Sequence, residues 1–359
     1  MGIHQLLVGS APGDAITSMA IELQRAFSFA GKSKIFAMHI DYRINSAGTT
    51  IVHPLSTISE LTSNDVLVYH SSMGEPAIDA ALHSTRARVV LHYHNITPEQ
   101  YFVRSSPQHA LTAYWGRRQL LKIRPLTIAV SADSKFNAEE LGQLGYERVH
   151  VAPAGLKTTR LARYVDNDIC SQMNDRFPSG YLTVVSQKLP HKRFELAIST
   201  LHLLQTLWEM PNIGLVLIGR TPDENYNRGL IKYAESLGVT NLEFWNSATD
   251  SEVASAISSA QALLVTSDHE GLGIPALEAM ALGVPVIARG CGATAETLGN
   301  AAIVGPGNAE ATWLSLAAAT LLKNTELRDQ LVNRGRKRAL QLEHAGDVWS
   351  YYRWLERQL

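Results

Sequence analysis

Short apolar runs, each followed by a small polar turn and then by a stretch with helical spacing, recur along this chain. HQLLVG at 4–9 reads as a buried strand, Ser10–Asp14 as a turn, and residues 15–30 as an amphipathic helix closed by Gly31. Further strand-like runs fall at 34–40, 66–70, 88–94, 127–130 and 148–152, with helical stretches between several of them. VAPAG at 151–155 opens a polar passage to Gly180, and the rhythm resumes at 181–186, 214–219, 241–245, 261–266 and 285–288. Alternation of this kind predicts an α/β fold with two parallel, doubly wound sheets. The expected domains are 1–160 and 161–340, with a last helix over 341–359 that carries Trp349, Tyr352 and Trp354.

Composition narrows the picture. A chain of 359 residues suits two domains, and 45% apolar with 18% charged residues is a globular balance. A net charge of −1 gives no basic field, so no nucleic-acid partner is expected. Cys170 and Cys291 form neither a metal nor a redox pattern and fit free thiols in a reducing compartment. MGIHQLLVGS reads as strand and turn rather than as a signal peptide, and no apolar run approaches the roughly 18 residues of a membrane span. The expected location is cytoplasmic, with peripheral contact at the inner face of the membrane as a further option. That option rests on residues 104–124, where Arg104, Arg117, Arg118, Lys122 and Arg124 mix with Tyr114, Trp115, Leu120, Leu121 and Ile123. The simpler reading of the same cluster is a solvated face over a core stripe.

The chemistry concentrates in SDHEGLGIPALEAMALGVPVI, residues 267–287. Pro275 suits the first turn of a helix, and Gly283 with Pro285 suits its end. A strand, a glycine loop and a helix N-terminus make an anion site, because the unpaired N–H groups and the helix dipole both favour phosphate. Glu270 lies before those donors and Glu278 about one turn inside the helix. A carboxylate on each side of a phosphate cradle fits a ligand with hydroxyls at both ends, as in a nucleotide sugar. His269-Glu270 begins a zincin pattern, but Gly273 stands where the second His is required, and no metal site is expected.

Glu270-GLGIPAL-Glu278 followed by AMALGVPVIA resembles the E-x7-E core of retaining, family-four glycosyltransferases of the GT-B fold. The resemblance implies two Rossmann-like domains facing across a cleft. It also implies transfer of a hexose from a UDP- or GDP-linked donor to an acceptor hydroxyl in glycan, glycolipid or natural-product biosynthesis. The nucleotide sugar is a co-substrate, and no other cofactor or metal is implied. Glu270 would hold sugar hydroxyls, Glu278 the ribose, and the backbone of Gly271, Leu272 and Gly273 the diphosphate. Lys192, in VVSQKLPHKRFELA at 184–197, corresponds to the family's diphosphate lysine. The family's companion arginine is absent, since Ser186-Gln187 stands in its place, and Lys188 or Arg193 is left to substitute.

In the first half, HYHNITP at 92–98 ends a strand and resembles a bacterial subset of the family, which makes His94 the expected sugar contact and leaves His92 to packing. Gly13 and Asp14 in GSAPGDA are expected near the donor by the same resemblance, although the turn alone reads as an ordinary βα connection. ADSKFN at 132–137 is expected to shape the cleft wall. A noncatalytic nucleotide-sugar-binding subunit, a sugar phosphorylase and an epimerase are the alternatives.

Overall fold

A computed structural model describes residues 1–45 and 50–359. The chain divides into two compact units, one of Met1–Val103, Pro107–Lys157 and Leu342–Leu359, the other of Arg104–Ser106 and Thr158–Gln341.

The first unit holds β1 (Ile3–Ser10), β2 (Ile35–Ile40), β3 (Val52–Pro54), β4 (Val66–Ser71), β5 (Arg88–Tyr93), β6 (Thr127–Ala132) and β7 (His150–Val151). They form one sheet in the order β3-β2-β1-β4-β5-β6-β7, and every pairing is parallel. Its helices are α1 (Ala15–Ala30), α2 (Pro76–Ser84), α3 (Pro107–Ile123) and α4 (Lys135–Gln143). The second unit holds β8 (Tyr181–Val185), β9 (Gly214–Ile218), β10 (Leu242–Trp245), β11 (Ala262–Val265), β12 (Val286–Arg289) and β13 (Ile303–Gly305), ordered β10-β9-β8-β11-β12-β13 and again parallel. Its helices are α5 (Asn167–Arg176), α6 (Phe194–Thr206), α7 (Glu224–Leu237), α8 (Asp250–Ser258), α9 (Ile274–Ala281), α10 (Thr294–Leu298) and α11 (Ala311–Lys323). The chain continues through α12 (Thr325–Ala345) to α13 (Val348–Glu356), which belongs to the first unit. Both sheets have the doubly wound order that reverses beside the first strand.

Apart from β3 and β13, the strands fall where the apolar runs predict them, within a residue or two at each end. The three-residue strands β3 and β13 are too short for an alternation to register, and the expected strand at 148–152 shrinks to two residues. In the first core, Ile3, Val66, Val68 and Val90 of the sheet pack with Leu23 and Phe27 of α1 and with Tyr351 and Leu355 of α13. In the second, Leu182, Leu215, Leu264 and Ile287 pack with Phe194, Ile198 and Leu201 of α6 and Leu314 and Leu321 of α11. Each such buried side chain contributes about 1.5–3 kcal/mol.

The basic cluster at 104–124 falls largely on α3, which buries Ala113, Gly116, Gln119, Leu120 and Ile123. Leu111, Tyr114, Trp115 and Leu121 remain exposed, with Arg118 over the Tyr114 ring and Lys122 over the Trp115 ring, each 5.5 Å from the centroid. Arg117 and Arg124 are committed to the fold: Arg117 donates to Ile96 O and pairs with Glu140, and Arg124 donates to Leu144 O. Among the described residues no helix is long and apolar enough to cross a membrane.

Candidate functional site

In the second unit the strand order reverses between β8 and β11, where a doubly wound sheet leaves a crevice beyond its carboxyl ends. The loops after these two strands carry Lys192 and Glu270. Pro190–Lys192 forms a 3-10 turn, and Arg193 takes left-handed backbone (φ 51°) to open α6. The loops are stitched together: Asp268 N donates to His191 O at 2.8 Å and Thr266 Oγ1 donates to Lys192 O at 2.7 Å. Lys192 Nζ donates to Glu270 Oε1 at 2.8 Å, and Ser267 Oγ donates to the same oxygen at 2.6 Å. Gly292, in the turn after β12, lies behind Glu270; a Cβ there would stand 2.3 Å from Glu270 O, while Ala293 N donates to that oxygen at 2.8 Å.

The Glu270 loop ends at Gly273, whose left-handed backbone (φ 85°) starts α9 with Pro275 in the first turn and no side-chain cap. The first N–H groups of a helix have no acceptor inside it, so this terminus is disposed to receive an anion. Glu278 sits on α9, and burial pushes its carboxyl up to about 7, with nearby Arg160 working against that shift and Asp250 adding to it. Arg160 Nη1 bonds Asp250 Oδ2 at 2.6 Å.

Lys188 is not available to a ligand. It is fully buried, and its Nζ donates to Gly219 O (2.7 Å), Trp245 O (2.8 Å) and Asn246 Oδ1 (3.1 Å). Burial lowers its pKa to about 8, and its three protons already serve as a brace between the loops after β8, β9 and β10. The expectation that Lys188 could grip a phosphate is thereby corrected, and Arg193 is the cation left beside Lys192.

In the first unit, Gly13 supplies a left-handed turn (φ 74°) and Asp14 caps α1, accepting from Thr17 N at 2.8 Å and from Thr17 Oγ1 at 2.7 Å. A carboxylate that already occupies a helix N-terminus repels a phosphate there, so the expected donor contact of Asp14 gives way to the ordinary βα turn.

His94 lies in a buried hydrogen-bond chain whose direction can be followed donor by donor. Gln5 Nε2 donates to Ala20 O (2.9 Å), which turns Gln5 Oε1 toward His70 Nε2 (3.0 Å) and makes that nitrogen a donor. Burial holds His70 well below its usual pKa, so it is neutral, and its Nδ1 lies 2.8 Å from His94 Nε2. His94 Nδ1 donates to Asp133 Oδ2 (2.7 Å), and His92 Nε2 donates to Asp133 Oδ1 (3.0 Å). Ser131 Oγ lies 2.7 Å from His92 Nδ1 and 2.8 Å from the Tyr351 hydroxyl, which extends the chain to α13. His92, His94 and Asp133 offer three ligand atoms within 4.8 Å of one another, and the two rings share the Asp133 carboxylate. The His94 side chain is 3% exposed with both ring nitrogens engaged. The ring expected to contact the sugar is held inside this network.

Residues 177–338 match the family described as glycosyl transferases group 1. A curated relative, an MMP alpha-(1->4)-mannosyltransferase of Mycolicibacterium hassiacum, is 27% identical over 201 residues, which span 55% of this chain and 45% of that protein. Among solved structures, Anabaena Alr3699/HepE in complex with UDP and glucose superposes with a TM-score of 0.75 at 16% identity, covering 96% of this chain and 97% of that one. WaaG, a glycosyltransferase involved in lipopolysaccharide biosynthesis, gives 0.71 at 17% identity over 96% and 98%. The sucrose-phosphate synthase of Thermosynechococcus elongatus gives 0.74 at 17% identity over 100% and 99%. The fold is that of the GT-B glycosyltransferases.

Proposed function

We propose that the chain, whose residues 177–338 match the glycosyl transferases group 1, moves a hexose from a nucleoside-diphosphate sugar to an acceptor hydroxyl, retaining the anomeric configuration. The observation that carries the reading is the Lys192–Glu270 pair at the reversal point of the second sheet, which joins the loop that opens α6 to the loop that opens α9. Charge grows on the diphosphate as the glycosidic bond breaks, and Lys192 with the α9 terminus supplies cation and N–H dipoles for it. Glu270 binds sugar hydroxyls once Lys192 turns to phosphate, and Glu278 accepts from the ribose. A neighbour that holds UDP and glucose supports a uridine donor as the first to test.

Calorimetric titration with UDP, GDP and ADP, without added metal, tests this reading. One of the three should bind selectively, whereas a protein that binds none is not a transferase of this type. The pH dependence tests Glu278. Only its ionised form accepts two hydroxyl bonds, so nucleotide affinity should rise by about tenfold from pH 6 to pH 8 as the carboxyl with its pKa of about 7 loses its proton. The nucleotide's own phosphate titrates nearby, so the readout is the difference between the wild type and Glu278→Gln. Parallel profiles for the two proteins would remove Glu278 from the ribose.

The exposed face of α3 suits an acceptor collected at an anionic lipid surface, because it presents Leu111, Tyr114, Trp115 and Leu121 with Arg118 and Lys122. Vesicles containing phosphatidylglycerol should sediment the wild type and not a Trp115→Ser/Arg118→Ser variant. Equal sedimentation of both would detach α3 from any such contact.

A further inference from the structure

The nucleotide site of the second unit holds its cations in a particular way. Lys192 and Arg193 are consecutive on one turn, and each faces a carboxylate of a single loop. Lys192 meets Glu270, while Arg193 Nη1 lies 3.1 and 3.3 Å from the two oxygens of Asp268. Asp268 cannot swing away freely. Arg289, 3% exposed at the end of β12, bonds Asp268 through Nη1 and anchors the same group to Thr266 O at 3.0 Å. On its other side Arg193 bonds Glu195 through Nε, and Glu195 is itself fixed by the Tyr226 hydroxyl at 2.7 Å. Among the described residues Arg193 Nη2 makes no hydrogen bond, and the side chain is 28% exposed. A guanidinium is thus set beside Lys192 with part of its fork unused, and a fixed anion occupies another part.

Resting on the nucleoside-diphosphate reading of this site, we infer that Asp268 is a built-in competitor for the diphosphate. In the empty site its carboxylate engages Arg193, and binding exchanges that contact for phosphate oxygens. Two consequences separate this arrangement from a passive ion pair. The first is a gain: removing the negative charge frees Arg193 and lessens repulsion of the ligand, so affinity rises. The second is dependence: the gain passes through Arg193 and disappears when that residue is neutral. Arg289 makes the competitor permanent, since a carboxylate pinned by a buried cation stays in place when the ligand arrives.

The test is a double-mutant cycle read by calorimetry with UDP, GDP and ADP in metal-free buffer. Asp268→Asn should bind the preferred nucleoside diphosphate about fivefold more tightly, a change of the size expected for one partly exposed charge. Arg193→Gln should bind it more weakly, and adding Asp268→Asn to Arg193→Gln should restore little. Unchanged or weaker binding by folded Asp268→Asn overturns the inference, as does an undiminished gain in the Arg193→Gln background. Since Asp268→Asn leaves Arg289 without its carboxylate, a variant that melts early is replaced by Asp268→Asn/Arg289→Gln, in which no gain is the overturning result. Wild-type binding with no gain sinks only the competitor role. Absence of binding by folded wild type and variants alike sinks the nucleotide reading itself.

Discussion

Lys192→Ala is expected to lower kcat for hexose transfer by about a hundredfold, equivalent to about 2.7 kcal/mol of transition-state stabilisation. The size follows from where the ammonium stands. It is held at 2.8 Å from Glu270 on a loop that Thr266 Oγ1 grips through the Lys192 carbonyl, so the charge is preorganised rather than swept through solvent. A diphosphate gains charge as the sugar leaves, and an oriented cation is worth more at that moment than in the ground state. The loss should therefore fall mainly on kcat, with KM for the donor changing less. Lys192→Arg should recover only part of the rate, because a planar fork does not reproduce a point charge. Steady-state kinetics of the purified variants decide the matter, and an effect below threefold on kcat would take Lys192 out of the leaving-group role.

The resemblance-bearing residues were readable because their chemistry is local. Glu270, Gly273, Pro275 and Glu278 lie within nine consecutive positions, and a loop that opens a helix carries its own signals in glycine and proline. Lys192 was readable for the same reason, being set between a predicted strand and a predicted helix. What the sequence could not reveal are partners brought from far away. Arg289 follows the apolar run at 285–288, and only the β11–β12 pairing sets it against Asp268. Lys188 was one of two cations that the resemblance left to replace the missing arginine, but its direction depends on the loops after β9 and β10. Gly219, where a Cβ would stand 1.7 Å from Ser186 O, lets those loops close on it. The network around His94 lay beyond the same limit, since His70 and Asp133 reach it from two other segments and Gln5 in turn reaches His70.

Asp133→Asn should destabilise the first unit by about 3–5 kcal/mol, the usual result of removing one partner from a buried charged pair. Asp133 is the one carboxylate in the chain of bonds from Gln5 to Tyr351, and both His92 and His94 donate to it. An amide can accept from one of the rings, but its NH2 then confronts the N–H of the other. Burial by itself would raise the Asp133 pKa; the His94 charge and the bonds from both rings outweigh it and hold the carboxyl far below its ordinary range. The sign of the pH dependence follows. Asp133 is depressed in the folded state, so its contribution is present above the ordinary carboxylate value of 3.8 and is lost as the pH falls below it. His70 and His92 are lowered chiefly by burial, so the unfolded chain takes up protons near 6.5 that the folded one refuses. Both effects make the wild-type first unit lose stability on acidification, beginning below about pH 6.5. Hydrogen exchange read separately in β4, β5 and β6 and in the strands of the second unit isolates the effect. Asp133→Asn at pH 7 should speed exchange in the first set and leave the second unchanged. Equal protection in wild type and variant would mean that the histidine network is not what ties those strands and α13 together.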